Sequence, residues 1–357
     1  MGSNILAINP GATSTKIGLF KDEEIVFKES ITYSLAELKD YANINDQYEL
    51  RLGSILETLK KHNVDTKVLD AVVGRGGLLP PVKSGAYEVN QDMLDCLKYS
   101  PVLEHASNLG APLAKGITEM AKDGCRAFIY DPVTVDEFTD IARISGLNGL
   151  ERKSIGHALN MRSVAIKVAK EMGDSYYNKN FVVAHLGGGS TVSAHQKGRM
   201  IDLISDDEGP LSTERTGGLP IKEVINLCYE KSKEEMYALY RKKGGLISYL
   251  NTNDAIEIEE RIDNGDQKAE LILQALAYQS SKAIGELAAV LKGDIDGVII
   301  TGGLAHSNRI TEWIESHVGF LAPVVIVPGE NELEALAMGA KRVITNEEKA
   351  NIFEMVH

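Results

Sequence analysis

The chain has 357 residues, and 38 Lys and Arg against 51 Asp and Glu leave a net charge of −13. At roughly 150 residues per domain this length suggests two domains, and 43% apolar with 25% charged residues is ordinary for a globular protein. The negative balance argues against nucleic acid or an anionic membrane surface as a partner, and any anionic substrate must meet local positive charge where it binds. The three cysteines, Cys96, Cys125 and Cys228, are odd in number, far apart and in no C-x-x-C spacing, which supports neither a disulfide framework nor a structural zinc site. The apolar stretch before Asn9-Pro10-Gly11 is too short for a signal-peptide core, and no run approaches the roughly 18 apolar residues of a membrane span. A reduced, cytoplasmic protein is expected.

Glycine is enriched at 33 residues, and the glycines cluster after short apolar runs. In chain order, a strand over 5–8 enters Asn9-Pro10-Gly11, and a helix over 48–62 carries Leu50, Leu52, Ile55, Leu56 and Leu59 on one side. A strand over 71–73 enters Gly74-Arg75-Gly76-Gly77, and one over 127–130 ends at Asp131-Pro132. A strand over 181–184 then enters His185-Leu186-Gly187-Gly188-Gly189. After a long Ala/Leu-rich helix over 267–291, a strand over 297–300 enters Thr301-Gly302-Gly303, and 323–327 is again strand-sized. Strands alternating with helices predict an α/β fold.

An internal repeat organises these elements. Residues 5–20 can be laid over 181–195, pairing Gly11-Ala12-Thr13-Ser14-Thr15 with Gly187-Gly188-Gly189-Ser190-Thr191 at an offset of 176, close to half the chain. In both copies a strand enters a Gly/Ser/Thr loop and a second strand leaves it. This is not the strand–loop–helix of a Walker A or dinucleotide fingerprint, and neither GxxxxGK[ST] nor GxGxxG stands in the right context. Backbone N–H groups bared by glycine, with Ser and Thr hydroxyls, can cradle phosphate oxygens. The Thr301–Ser307 segment could admit adenosine where Cβ atoms would clash, or be a plain turn after a buried strand.

Together, residues 9–16, Gly74-Arg75-Gly76-Gly77, residues 185–190 and the Thr301 loop resemble the acetokinase family of the acetate and sugar kinase/heat-shock chaperone/actin superfamily. His105-Ala106-Ser107-Asn108-Leu109-Gly110-Ala111-Pro112, residues 130–137 and Ser205-Asp206-Asp207-Glu208-Gly209-Pro210 are similar to the butyrate kinase branch of that family. The resemblance runs over nearly the whole chain. It implies two actin-like (ribonuclease H-like) α/β domains with a central nucleotide-binding cleft, one over 1–153 plus 334–357 and one over 154–333. It implies ATP and Mg²⁺ as cofactors, the reversible reaction ATP + butanoate ⇌ ADP + butanoyl phosphate, and a homodimer or higher homo-oligomer.

Residue by residue, the resemblance assigns catalysis to Asp131, Arg215 and His157, and substrate binding to Arg75 and His105. It assigns nucleotide contacts to Asn9, Thr13, Ser14, Lys16, His185, Gly187, Gly188, Gly189, Ser190, Gly302, Gly303 and Leu304. Metal contacts fall to Asn9 and Glu332, with Glu330 and Glu334 as alternatives to the latter. A short-chain acid is ionised at pH 7, so no general base is required. Positioning and positive charge carry such a reaction, and arginine's planar fork suits both carboxylate and phosphate. Bland alternatives stand beside these roles. Arg75 can be a surface loop residue, and Arg215 can pair with Glu208 or Glu214. His157 can be a capping or core histidine, Asn9 a strand-ending turn residue, and Lys16 an exposed neighbour.

Each extra buried methylene adds only about 0.8 kcal/mol, so discrimination among butanoate, isobutanoate and valerate is expected to be modest. A non-kinase ATP-binding module of the same superfamily would need no substrate arginine, and a sugar kinase would want Asp131 as a base for a hydroxyl.

Overall fold

The computed structural model describes residues 2–355. Its residues group into two compact units, Met1–Asp136 with Asn331–His357, and Glu137–Glu330. The sequence places the divisions at 153/154 and 333/334. Residues 137–153 pack instead within the second unit: Thr139 N–H donates to the Ile201 carbonyl at 3.1 Å, and Arg152 binds Asp202 at 2.9 Å and the Leu203 carbonyl at 2.7 Å.

In the first unit, β1 (Asn4–Pro10), β2 (Ser14–Lys21) and β3 (Glu24–Thr32) form an antiparallel meander. The helix α1 (Tyr48–Lys61) comes next, then β4 (Ala71–Arg75), β5 (Ala86–Glu88), α2 (Gly110–Glu119) and β6 (Arg126–Tyr130). The sheet order is β3-β2-β1-β4-β6-β5, with β1, β4 and β6 parallel. Central parallel strands are covered on both faces and need continuous apolar runs, which Ile5–Ile8 and Ala71–Val73 supply. The helix α1 packs the face its apolar residues suggest, with Ile55 and Leu59 buried and Leu52 and Leu56 half-buried against the same core, and it buries Arg51 and Thr58 as well. Against β4, α2 approaches so closely that a Cβ on Gly74 would overlap the Gly110 carbonyl, and one on Gly110 the Arg75 carbonyl. The C-terminal helix Glu332–Ile344 completes this unit, burying Leu333, Leu336, Ala337 and Ala340 against β1 and β4.

The second unit repeats the plan. It holds α3 (Ala158–Glu171), β7 (Asn180–His185), β8 (Thr191–Gln196), β9 (Arg199–Ile204), α4 (Gln267–Val290), β10 (Gly297–Gly302), α5 (Asn308–Val318) and β11 (Val324–Pro328). The sheet order is β11-β10-β7-β8-β9, again an antiparallel trio joined to parallel strands. The strands β7 and β10 are buried along their whole length. Asp266 caps α4 by accepting from Ala269 N–H at 3.0 Å, and α4 buries Leu273, Leu276, Ile284 and Leu287.

Register sharpens the repeat. Asn9 faces Lys16 across the first hairpin, and His185 faces Thr191 across the second. Both outer strand pairs shift register, at Leu19/Phe20 and at Ala194/His195. The entering strands therefore correspond at 176 and the leaving strands at 175, so the second loop is one residue shorter. A further correspondence lies in β4 and β10: Gly74 pairs with Ile8 as Ile300 pairs with Ala184. Arg75-Gly76-Gly77 and Thr301-Gly302-Gly303 are thus the same strand end in two copies.

Candidate active site

In the first unit the loop after β1 is fixed from beneath. The side chain of Arg51 is fully buried, and its Nη1 donates to the carbonyls of Gly11 at 2.9 Å and Ser14 at 3.1 Å and to Thr15 Oγ1 at 3.0 Å. Its Nη2 donates to the Ala12 carbonyl at 3.1 Å and to Gln47 Oε1 at 2.8 Å, and Nε to the same Gln47 oxygen at 3.1 Å. With the carbonyls turned inward, the N–H groups of Ala12 and Thr13, at exposed positions, find no acceptor among the described residues. Thr13 is held through its carbonyl by Tyr33 N–H at 2.9 Å, and Ser14 through its carbonyl by Gly11 N–H at 2.7 Å. Lys16 alternates outward from the buried Thr15 and Ile17.

The strand ends of β1 and β4 meet the first turn of the C-terminal helix. Asn9 Nδ2 and Arg75 Nη1 both donate to the Glu332 carboxylate, one to each oxygen. Of the three glutamates considered there, Glu332 is the one that reaches Asn9. Glu334 pairs with Lys28, whereas Glu330 belongs to the second unit and accepts from His185 within it. His105 precedes a short helical turn and holds Ser107 N–H and Oγ on its Nδ1, at 3.2 and 2.9 Å. Burial, then the nearby Arg75 charge, push its pKa below the ordinary histidine value. Asp131 follows β6 with a φ of 39°, is buried, and accepts Gly85 N–H at 2.7 Å on Oδ1. Its carboxylate is thereby locked to backbone.

In the second unit the loop after β7 has its carbonyls held by neutral groups. Ser212 Oγ donates to the Gly188 carbonyl at 2.6 Å, and Thr213 Oγ1 reaches the Gly187 carbonyl at 3.5 Å. The N–H groups of Gly187, Gly188 and Gly189 find no acceptor among the described residues. Ser190 Oγ is buried and likewise without a hydrogen-bond partner among them, an unspent polar group at the foot of the loop. The Thr301 segment is laced to the same loop, since Leu186 N–H donates to the Thr301 carbonyl at 2.8 Å and Leu304 N–H to the Leu186 carbonyl at 3.0 Å. Gly302 takes a φ of +92° and lies against the Leu186 backbone, whereas the space above Gly303 is open.

His157 and His185 stack with ring centroids 3.8 Å apart and planes 10° from parallel. Asn160 Nδ2 donates to His185 Nδ1 at 3.0 Å and to Thr301 Oγ1 at 3.2 Å. That makes Nδ1 an acceptor and places the proton on Nε2, which donates to Glu330 at 3.0 Å. Both nitrogens of His185 are engaged within the protein, and its ring is 1% exposed. His157, half-buried at the start of α3, bonds Thr191 Oγ1 through Nδ1 at 3.0 Å. Arg215 pairs with Asp206, not with Glu208 or Glu214. Glu208 is taken by Arg152, and Glu214 accepts from Asn253. The Arg215 N–H bonds Ser212 Oγ at 3.0 Å, the same hydroxyl that holds Gly188.

The first unit therefore gathers Asn9, Arg75 and Glu332 at one place. The second gathers the 187–190 loop, the Thr301 loop, the stacked histidines and Arg215. Sequence reading missed Arg51, Gln47, Asn160, Asp206 and Ser212. The signal for Arg51 was present: it occupies the i position of the buried i, i+4, i+8 stripe completed by Ile55 and Leu59.

The sequence profile of the acetokinase family matches residues 150–357. The chain is 47% identical over 99% of its length to a protein of Coprothermobacter proteolyticus described as a probable butyrate kinase, covering all of that protein. Among solved structures it is similar to the Porphyromonas gingivalis acetate kinase, with a TM-score of 0.78 and 18% identity over 97% of this chain and 100% of that one. It is also similar to the Entamoeba histolytica acetate kinase, with a TM-score of 0.74 and 17% identity over 95% of this chain and 99% of that one. These structural likenesses carry the fold: each unit is an actin-like α/β domain.

Proposed function

The chain belongs to the acetokinase family and is a kinase with a carboxylate acceptor, and from that premise we propose that it transfers the γ-phosphoryl group of ATP reversibly to butanoate. The observation that carries this reading is Arg75, a guanidinium held at the end of β4 and bonded to the carboxylate of Glu332. A group that already grips one carboxylate is suited to a substrate carboxylate.

An acid oxygen attacks the γ-phosphorus, the new O–P bond forms as the bond to ADP breaks, and no proton moves because the acid is already ionised at pH 7. Arg75, with His105 beside it, orients the acid. Arg215 and His157 place positive charge and a hydrogen-bond donor at the transferring group's oxygens. The N–H groups and hydroxyls of the 11–14 and 187–190 loops hold phosphates, with Lys16 and His185 next to them, and Gly302, Gly303 and Leu304 border the adenosine. Asp131 acts from its backbone-locked position.

Among the described residues no group of three His, Cys, Asp or Glu side chains converges to hold a metal unaided. Asn9 and Glu332 fit Mg²⁺ all the same, because that ion takes one or two protein ligands and completes its shell with water and phosphate oxygens. Bound there, Mg²⁺ neutralises charge on the phosphates.

The test is ATP, Mg²⁺ and hydroxylamine with straight and branched acids from C2 to C6. Acyl hydroxamate should peak near C4, with isobutanoate and valerate within about tenfold. No product above the enzyme-free control with any acid would remove the reading. A peak at a branched acid would keep the chemistry and change the substrate. The same reading includes a homo-oligomer, supported by exposed Ile221, Ile225 and Tyr229 along one helix and tested by sedimentation. It also includes a reducing, cytoplasmic setting, supported by three unpaired cysteines. No helix among the described residues is long and apolar enough to cross a membrane.

A further inference from the structure

Arg51 is an oddity that fold alone does not explain. Its guanidinium is wholly buried, and its hydrogen-bond acceptors are three loop carbonyls, one hydroxyl and one amide oxygen, none of them charged. The Tyr33 ring lies 4.8 Å from it. It also sits in the first turn of α1, where the helix dipole disfavours a cation. A buried charge without a counter-ion is costly to keep.

The second copy of the hairpin holds its own, one-residue-shorter loop without any charge. There the carbonyls of Gly187 and Gly188 are held by the neutral hydroxyls of Thr213 and Ser212. The first copy does the same task with a cation, while the outward N–H groups of Ala12 and Thr13 remain unspent.

We propose that Arg51 is a positioning residue whose uncompensated charge is completed by the polyphosphate of the nucleotide bound on the outer side of the Gly11–Ser14 loop. The inference rests on the phosphate-binding role proposed for that loop. Gln47 supplies the decisive variant. Its Oε1 is 2.8 Å from Nη2 and 3.1 Å from Nε, and Gln47→Glu keeps that acceptor while adding a permanent buried counter-charge. If Arg51 awaits an anion, Gln47→Glu should raise the melting temperature of the ligand-free protein and weaken binding of tripolyphosphate and MgATP about tenfold or more. The two effects have opposite signs, which a merely structural arginine would not produce.

Calorimetric titration of wild type, Gln47→Glu, Arg51→Lys and Thr13→Ala, each with thermal unfolding, tests this. Arg51→Lys keeps the charge but has three donors for five acceptors, so it should raise the KM for ATP with little change in kcat. Wild-type affinity in Gln47→Glu, with binding lost in Thr13→Ala, overturns the role of Arg51 and leaves the loop's role standing. No binding of either probe by the wild type overturns the loop reading itself. If Gln47→Glu does not fold, an Arg51→Lys protein with wild-type KM and ligand-induced stabilisation overturns the proposal.

Discussion

Glu332→Gln is the substitution whose outcome the geometry constrains most tightly. Glu332 accepts from both Asn9 and Arg75, and the side chains of Arg75 and Glu332 are 14% and 25% exposed. An acid that takes the Nη1 edge of Arg75 must displace Glu332, so the bond between them is subtracted from that acid's affinity. Charge-assisted hydrogen bonds contribute roughly 1.5–3 kcal/mol, and partial exposure draws this one to the lower end. About 1.4 kcal/mol is a factor of ten in affinity. Glutamine keeps the length and an acceptor for Asn9 but loses the charge. Titrated with butanoate in the absence of Mg²⁺ and nucleotide, Glu332→Gln should bind about tenfold more tightly than wild type. The gap should close when Mg²⁺ and nucleotide draw Glu332 away from Arg75 in the wild type. Turnover should nevertheless fall, with a higher Mg²⁺ requirement. Equal butanoate affinities in the metal-free proteins would refute the competition, and so would an undiminished effect of Glu332→Gln in an Arg75→Ala background.

Arg75→Ala on its own should abolish acid-dependent turnover while leaving ATP binding intact, and unchanged turnover would remove Arg75 from the site. In Gly189→Ala the new Cβ would stand 2.8 Å from Arg215 Nη1 and 2.9 Å from Asp206 Oδ2. Overpacking of this kind costs about 1–3 kcal/mol, so a melting temperature lower by a few degrees should accompany a loss of kcat of at least about tenfold. His195 is fully buried between Tyr176 OH and Ser193 Oγ, each at 2.7 Å, and burial holds its pKa down to about 3. The unfolded chain takes up that proton near pH 6.5 and the folded one does not. Stability is therefore lost as pH falls from about 6.5 towards 3, by at most about 1.4 kcal/mol per pH unit from this group. Urea titrations at pH 7, 6 and 5 should show a flatter dependence in His195→Gln, and an unaltered slope would exclude His195 as its source.

Strands followed by glycine loops were readable because burial on both faces demands continuous apolar runs, and tight loops demand glycine at fixed places. The half-chain repeat was readable for the same reason, although the uniform offset that pairs Thr15 with Thr191 holds only for the entering strands. Its one-residue slip was not, because it depends on register shifts at Leu19/Phe20 and Ala194/His195 that no local pattern marks. Partners distant in sequence were hidden as well. Arg51 reaches loop atoms 36 to 40 residues away, Asn9 reaches Glu332 across 323, and Asn160 joins His185 to Thr301. The sequence places Arg215 among several acidic residues, and only packing selects Asp206. The leucine pattern located the packed face of α1, but an apolar stripe gives no reason to expect the buried arginine that opens it.

The first unit is written in two pieces of chain, with the whole second unit between them. During synthesis, β1, β4 and β6 emerge long before the Glu332–Ile344 helix that buries Leu333, Leu336 and Ala340 on their sheet. At ribosomal rates of about 5–20 residues per second the intervening chain takes roughly 10 to 40 s to appear. For that interval the nascent sheet presents an uncovered apolar face, while the second unit, continuous in sequence, can close its own core as soon as it leaves the ribosome. The order of completion is thus reversed relative to the order of translation.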